Sequence, residues 1–240
     1  MDLFEKYSKE VETFLKVCHR LAANLYVTSH GGNLAWKLEA DLILITPTQM
    51  NKGEIGFKDV VFINMAGDTV AGERKPTGEK PMYLKFFAER PDIVSVLHCH
   101  PPYTCAFAIM EDPSPLMRPF YPEAVTEVGP VPLVPYAEPL TDELARNFSD
   151  YLQKYNSFLM ENHGLVTMSR GDIEWTLLNV ELLEGSSQSI AVAMAAGKLK
   201  ELDREAVAGL SNVMETRDLP LFGAPGAHKN LLEMYFPNEE

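Results

Sequence analysis

The chain has 240 residues, 46% hydrophobic and 23% charged, values of an ordinary folded protein with one large domain or two small ones. Its formal net charge is −13 and it carries no extended Lys/Arg cluster, which argues against nucleic acid and anionic membrane as partners. No run of 18 apolar residues occurs, so no transmembrane helix is expected. Three scattered cysteines, Cys18, Cys99 and Cys105, fit a reducing compartment better than a disulfide framework. Met1-Asp2-Leu3-Phe4-Glu5-Lys6 reads as a charged amphipathic start rather than a signal peptide. Together these predict a cytoplasmic protein. With no linker, repeat or low-complexity tract, residues 1–240 read as a single domain with a ragged end at 236–240.

Residues 2–24 read as an amphipathic helix with Leu3, Tyr7, Val11, Phe14, Leu15, Cys18 and Leu21 on one stripe. A loop at 28–33 leads into strands at 34–37 and 41–45, then a second hairpin at 60–64 and 69–71. A helix at 80–89 stops at Arg90-Pro91, and a strand at 93–99 follows. A helix at 102–111 takes in Cys105, and an irregular Pro-rich stretch leads to a strand at 131–134. Residues 141–155 read as a helix with Thr141 as N-cap and Leu144, Phe148 and Leu152 inward. Strands at 158–161 and 165–169 flank Asn162-His163-Gly164. A long helix at 172–197 has Ile173, Leu177, Val180 and Leu183 on its apolar stripe and Glu184 at the solvent boundary. A helix at 203–214 and an irregular tail close the chain. Hairpins and helices mix without strict βαβ alternation. That predicts a mixed, largely antiparallel sheet flanked by helices.

The chemistry concentrates at His98-Cys99-His100. Side chains at i and i+2 of a strand share a face, so the two imidazoles project together and Cys99 points away. They supply half of a transition-metal site, and His163, ending the apolar run Phe158-Leu159-Met160, is the candidate third imidazole. Three histidines leave an open position for a carboxylate or substrate, as a catalytic metal site requires. On the histidines alone, satisfied core or surface imidazoles remain the competing reading. Trp36 and Trp175 are expected in the core and His19 on the surface. Glu181 and Glu184 read as solvated or interface residues, and His228 lies in a tail that could reach a neighbouring subunit.

Longer words surround these residues. Gly31-Gly32-Asn33-Leu34, Ile45-Thr46-Pro47-Thr48, Pro76-Thr77-Gly78-Glu79, Arg90 through Pro101, and Glu161-Asn162-His163-Gly164-Leu165-Val166 follow one another in order. In that order and spacing the chain resembles the class II aldolase/adducin family, most of all its L-fuculose-1-phosphate aldolase branch. The resemblance implies a three-layer α/β/α sandwich and a zinc-type divalent metal site, with Mn2+, Co2+ or Fe2+ as other candidates. It also implies a homotetramer with active sites between subunits. Carried over by residue, it implies Glu79, His98, His100 and His163 as metal ligands and Glu79 as the acid/base carboxylate. Tyr121 falls at the position of a proton-donating tyrosine that reaches a neighbouring subunit's site. The implied reaction cleaves a phosphorylated ketose to dihydroxyacetone phosphate and an aldehyde through a metal-stabilised enediolate.

The phosphate loops of that branch map onto His30, Gly32, Asn33, Thr48, Gln49, Thr77 and Gly78. Gln49 stands where the branch has glycine, Gly78 where it has serine, and His30 where it has a small hydroxyl residue. Three departures in one inferred pocket point to changed specificity, either another sugar phosphate or a carboxylate. Two rivals remain. One keeps the metal site for decarboxylation, epimerisation or dehydration, although the epimerase branch usually carries aspartate where this chain has Glu79. The other is a binding module like the adducin heads, which have lost the metal residues retained here.

Overall fold

A computed structural model describes residues 2–237. The chain opens with α1 (Leu3–Lys6) and α2 (Ser8–Ala23), separated at Tyr7, whose backbone (φ −110°, ψ 28°) leaves the helical region. Strands β1 (Asn33–Glu39), β2 (Leu42–Ile45), β3 (Val61–Ile63) and β4 (Thr69–Ala71) follow as a meander. Then come α3 (Lys80–Glu89), β5 (Ser95–Cys99), α4 (Pro102–Ala108), α5 (Pro122–Glu127), β6 (Leu133–Val134) and α6 (Asp142–Asn147). Strands β7 (Ser157–Met160) and β8 (Gly164–Ser169), with α7 (Ile173–Ala196), α8 (Arg204–Thr216) and α9 (Leu231–Tyr235), complete it.

The eight strands form one sheet in the order β4-β3-β2-β1-β5-β8-β7-β6. Among the described residues only the β6–β7 pairing is parallel, so the sheet is mixed and largely antiparallel. Its central strands are buried on both faces. Alternation sends Leu34, Leu44, Leu97, Cys99 and Leu165 to a core shared with α2, α4 and α7. Ala35, Ile43, Val96 and Val166 face the opposite core, filled by α3 and α6. That is the expected α/β/α sandwich. A small third cluster joins α5, α8 and α9 through Val125, Val207 and Leu231.

Several elements depart from the sequence pattern. The helix expected over 141–155 stops at Asn147, although Thr141 caps it and Leu144, Phe148 and Leu152 are buried. Beyond Asn147 the chain runs on as turns, with Leu152 N and Tyr155 N donating to the Phe148 and Tyr151 carbonyls. Arg90, with no exposed surface, donates to the Leu152 and Tyr155 carbonyls at 2.7 and 3.3 Å. The same guanidinium reaches the Gly223 carbonyl, Asn156 Oδ1 and Asp92. The Pro-rich stretch contains a 3-10 turn at Ser114–Met117 and α5, which starts on Pro122, where a missing N–H costs nothing. The tail contains α9; the terminal residues 238–240 of the expected ragged end lie outside the described residues.

Trp175 is half exposed, not in the core. It follows Ile173 by about 200° around the helix axis, which puts it on the outer face. Trp36 is half-buried against the core. Glu184 corrects the other way, being 6% exposed. It accepts from Tyr103 N, Thr104 N and Thr104 Oγ1 at 2.7–2.9 Å, holding the first turn of α4 directly after His100-Pro101. Glu181 pairs with Arg20 and ties α7 to α2.

Candidate active site

The end of β5, the start of β1 and the turn from β7 to β8 meet at one end of the central strands. Antiparallel pairing places His98 opposite Asn33 on one side and Val166 on the other. His100 follows one residue past β5, and His163 precedes Gly164, the first residue of β8. The turn is held by Asn162, whose φ of +54° is left-handed and whose N–H donates to the Ala108 carbonyl. One ring nitrogen from each of His98, His100 and His163 falls within a mutual 4.8 Å. Cys99 faces the opposite core, as the alternation requires.

Glu79 arrives from a different direction, at the N-terminus of α3. The loop before it is tied to the loop after β2: Thr77 N donates to the Thr46 carbonyl and Thr48 N to the Lys75 carbonyl. The Glu79 carboxylate is buried, 3.7 Å from His98 Nε2 and 3.8 Å from His163 Nε2. Asn33 Nδ2 donates to Glu79 Oε2 at 2.6 Å. The buried Tyr83 hydroxyl donates towards the Asn33 Oδ1 and backbone carbonyl, which fixes which way the amide points. Asn33, expected among phosphate loops, thus touches the carboxylate directly.

Electrostatics keep the imidazoles neutral. Burial pushes His98 well below the ordinary histidine range, and the neighbouring imidazoles His100 and His163 push it further. His100 is lowered to about 4, first by burial and then by His163. Burial lowers His163 against an opposing pull from Glu79. His98 Nδ1 lies 2.9 Å from the Leu165 carbonyl, so its proton sits there and Nε2 carries a lone pair. That lone pair faces His100 Nε2 at 3.1 Å. His163 Nδ1 is buried with no hydrogen-bond partner among the described residues. Converging neutral imidazoles, an orphaned ring nitrogen and one carboxylate make an N3O donor set that suits zinc and its borderline neighbours.

The histidines and Glu79 line a cleft of about 240 Å³. The other expected loop residues, His30, Gly32, Asn33, Thr48, Gln49, Thr77 and Gly78, line it as well. Gly32 is required: at φ +67° a Cβ would sit 2.4 Å from Val27 Cγ1 and 2.9 Å from the His98 carbonyl. Gln49 holds φ +56° without being glycine, a conformation that costs about 1 kcal/mol for a side-chain-bearing residue. Three lining residues were not foreseen. Pro139 and Leu140 form the rim, with Leu140 at φ +68° packed over Gly78. Lys52 is the third, and no periodicity or motif marks it. Tyr121 precedes α5 at a surface away from this cleft, about 39% exposed. His228 lies against the Lys154 carbonyl, and His19 against that of Ile55.

This fold and cleft define a class, and comparison with known proteins names it. Residues 12–192 match the Class II Aldolase and Adducin N-terminal domain, and the chain belongs to that family. An L-fuculose phosphate aldolase from Methanococcus maripaludis is 32% identical over 179 residues, 75% of this chain and 94% of that protein. A 3-oxo-tetronate 4-phosphate decarboxylase from Pectobacterium atrosepticum is 29% identical over 188 residues, covering 78% and 85%. Among solved structures, YgbL from Klebsiella pneumoniae superposes with a TM-score of 0.78 at 28% identity, covering 85% of this chain and 98% of that one. An L-fuculose 1-phosphate aldolase gives 0.76 at 25% identity, covering 87% and 97%.

Proposed function

We propose that the chain is a divalent-metal-dependent carbon–carbon lyase that cleaves a phosphorylated ketose to dihydroxyacetone phosphate and an aldehyde. The observation that carries this reading is the meeting of His98, His100 and His163 with the Glu79 carboxylate in a cleft. These four side chains would hold the ion, which supplies Lewis-acid stabilisation of the charge that develops beside the breaking bond. Zinc is the ion the donor set favours.

The chain's own residues supply the rest. Glu79 moves the proton at the hydroxymethyl carbon, accepting it in the synthetic direction and returning it in cleavage. Asn33, oriented by Tyr83, holds one Glu79 oxygen and fixes the carboxylate against the histidines. The loop residues His30, Gly32, Thr48, Gln49, Thr77 and Gly78 bind the substrate's distal anion. Leu140 and Pro139 cover part of the cleft and limit water. Tyr121, lying away from its own chain's cleft, serves in a neighbouring subunit's site, accepting the hydroxyl proton in cleavage and donating it to the aldehyde oxygen in addition. The working form is then a cytoplasmic homotetramer of one-domain chains.

Decarboxylation of a phosphorylated 3-oxo acid is the second reading, favoured by the similarity to the 3-oxo-tetronate 4-phosphate decarboxylase. Both reactions place charge on the same carbon–oxygen framework. Metal-loaded protein offered phosphorylated ketoses and phosphorylated 3-oxo acids in parallel tests the reading. Release of an aldehyde together with dihydroxyacetone phosphate from a ketose supports the aldolase, release of carbon dioxide from a 3-oxo acid replaces it with the decarboxylase, and release of neither aldehyde nor carbon dioxide refutes both.

A further inference from the structure

Lys52 is a buried cation with no anionic partner among the described residues. It is 1% exposed, yet it lines the cleft that holds the histidines and Glu79. Its ammonium donates to the His30 carbonyl at 3.1 Å and the Met50 carbonyl at 2.9 Å. An ammonium has three donors, so these two bonds leave one unused. No carboxylate among the described residues lies within 4.0 Å of it, since the salt bridges that involve lysine are those of Lys6 and Lys85. Burial lowers its proton affinity, opposed by attraction to Cys18 and then to Glu79.

Burying a charge without a counter-charge is costly unless a ligand supplies one. The two carbonyls satisfy hydrogen bonds but not charge. The protein as a whole is strongly anionic at −13, so its long-range field repels an anionic substrate. A fixed cation inside the cleft reverses that sign locally. Gly78 supplies no hydroxyl to the anion, and Leu140 covers its open face. The Lys52 ammonium lies between the His30 and Met50 carbonyls and adds a charged donor to the neutral ones of Thr48, Gln49 and Thr77.

We propose that the Lys52 ammonium is the specificity-determining charge that binds an oxyanion of the substrate in this cleft. The shared chemistry is a phosphate or a carboxylate. The inference rests on the cleft proposed above as the active site, but not on which bond is cleaved there.

The test is calorimetric titration of metal-loaded protein with inorganic phosphate and, separately, with glycolate, comparing wild type with Lys52→Met. Losing a charged hydrogen bond should weaken the relevant anion by roughly 10- to 100-fold. Metal content should stay unchanged. A loss in the phosphate arm assigns Lys52 to the phosphate; a loss in the glycolate arm assigns it to a carboxylate. Lys52→Gln retains a donor for one carbonyl and gives the same comparison should Lys52→Met fail to fold. The proposal is overturned if both anions bind the variant within about twofold of wild type at full metal occupancy, or if wild type binds neither anion. Anion binding that depends on Lys52 in a protein that cleaves no sugar phosphate would sink the proposed reaction and leave this inference standing.

Discussion

Gly164→Ala tests the geometry of the histidine cluster without touching any histidine. A Cβ added at Gly164 would lie 2.5 Å from His100 Cδ2, 2.8 Å from the Cys99 carbonyl and 3.1 Å from His98 Cε1. Carbon atoms pack at about 3.5–4.0 Å, so the ring of His100 must retreat by roughly 1 Å. The carbonyl belongs to β5 and cannot swing aside as a flexible side chain would. A zinc–nitrogen bond tolerates only about 0.2 Å of misplacement. The displacement is several times that tolerance and affects two of three imidazoles. Zinc affinity should therefore fall by about 100-fold or more, the upper part of the range for disturbing a ligand's support. The assay is competition against a chromogenic chelator, with a urea melt to verify folding. Gly185→Ala is the control, because nothing lies within 4 Å of its added carbon. Folded Gly164→Ala that binds zinc within about threefold of wild type would refute this geometry.

Glu79→Gln keeps an oxygen for the ion and a partner for Asn33 but cannot accept a proton. Turnover should fall by about 10²-fold or more with metal largely retained, and near-normal kcat at full occupancy would remove Glu79 from proton transfer. Acid should destabilise the metal-free protein from pH 6.5 downward. His100 titrates near 4 when folded against 6.5 when free, so the unfolded chain binds more protons across that window and stability rises with pH. A melting temperature that does not drop between pH 6.5 and about 5.5, before most carboxylates titrate, would contradict the buried neutral imidazoles. Arg90→Met should cost about 1–3 kcal/mol in urea denaturation, because it removes the donor to the Leu152 and Tyr155 carbonyls while Arg170 still holds Asp92 and the Gly223 carbonyl. Zinc stoichiometry should not change, and a loss of zinc without a loss of stability would mean Arg90 supports the site rather than the fold.

Strand alternation and word order made much of this molecule legible. The i, i+2 spacing of His98 and His100 put both rings on one face. The short words around Glu79 and His163 pointed to one cleft, and β1, β5 and β8 bring them to one end of the central strands. What eluded the sequence was tertiary. Helix 141–155 has the right apolar spacing, but its second half runs as turns, and the Leu152 and Tyr155 carbonyls at its end accept from Arg90. Glu184 follows Val180 by four and Leu177 by seven residues, so the helical period already put it on the buried stripe. Its charge obscured that, because its partners are the N–H groups of α4. Trp175 shows the reverse, an apolar residue on an outer face. Lys52 follows no periodicity, since its surroundings are two loop carbonyls and a cleft assembled from distant segments.

The central claim is that His98, His100, His163 and Glu79 hold one divalent ion on which turnover depends. It is tested by stripping the protein of metal, titrating zinc back, and recording bound zinc and product release on the same samples. The account predicts that about one ion per chain restores turnover. It also predicts that His98→Ala/His100→Ala binds no ion and yields no product. Turnover by the stripped protein, or full zinc occupancy in that double variant, would contradict it.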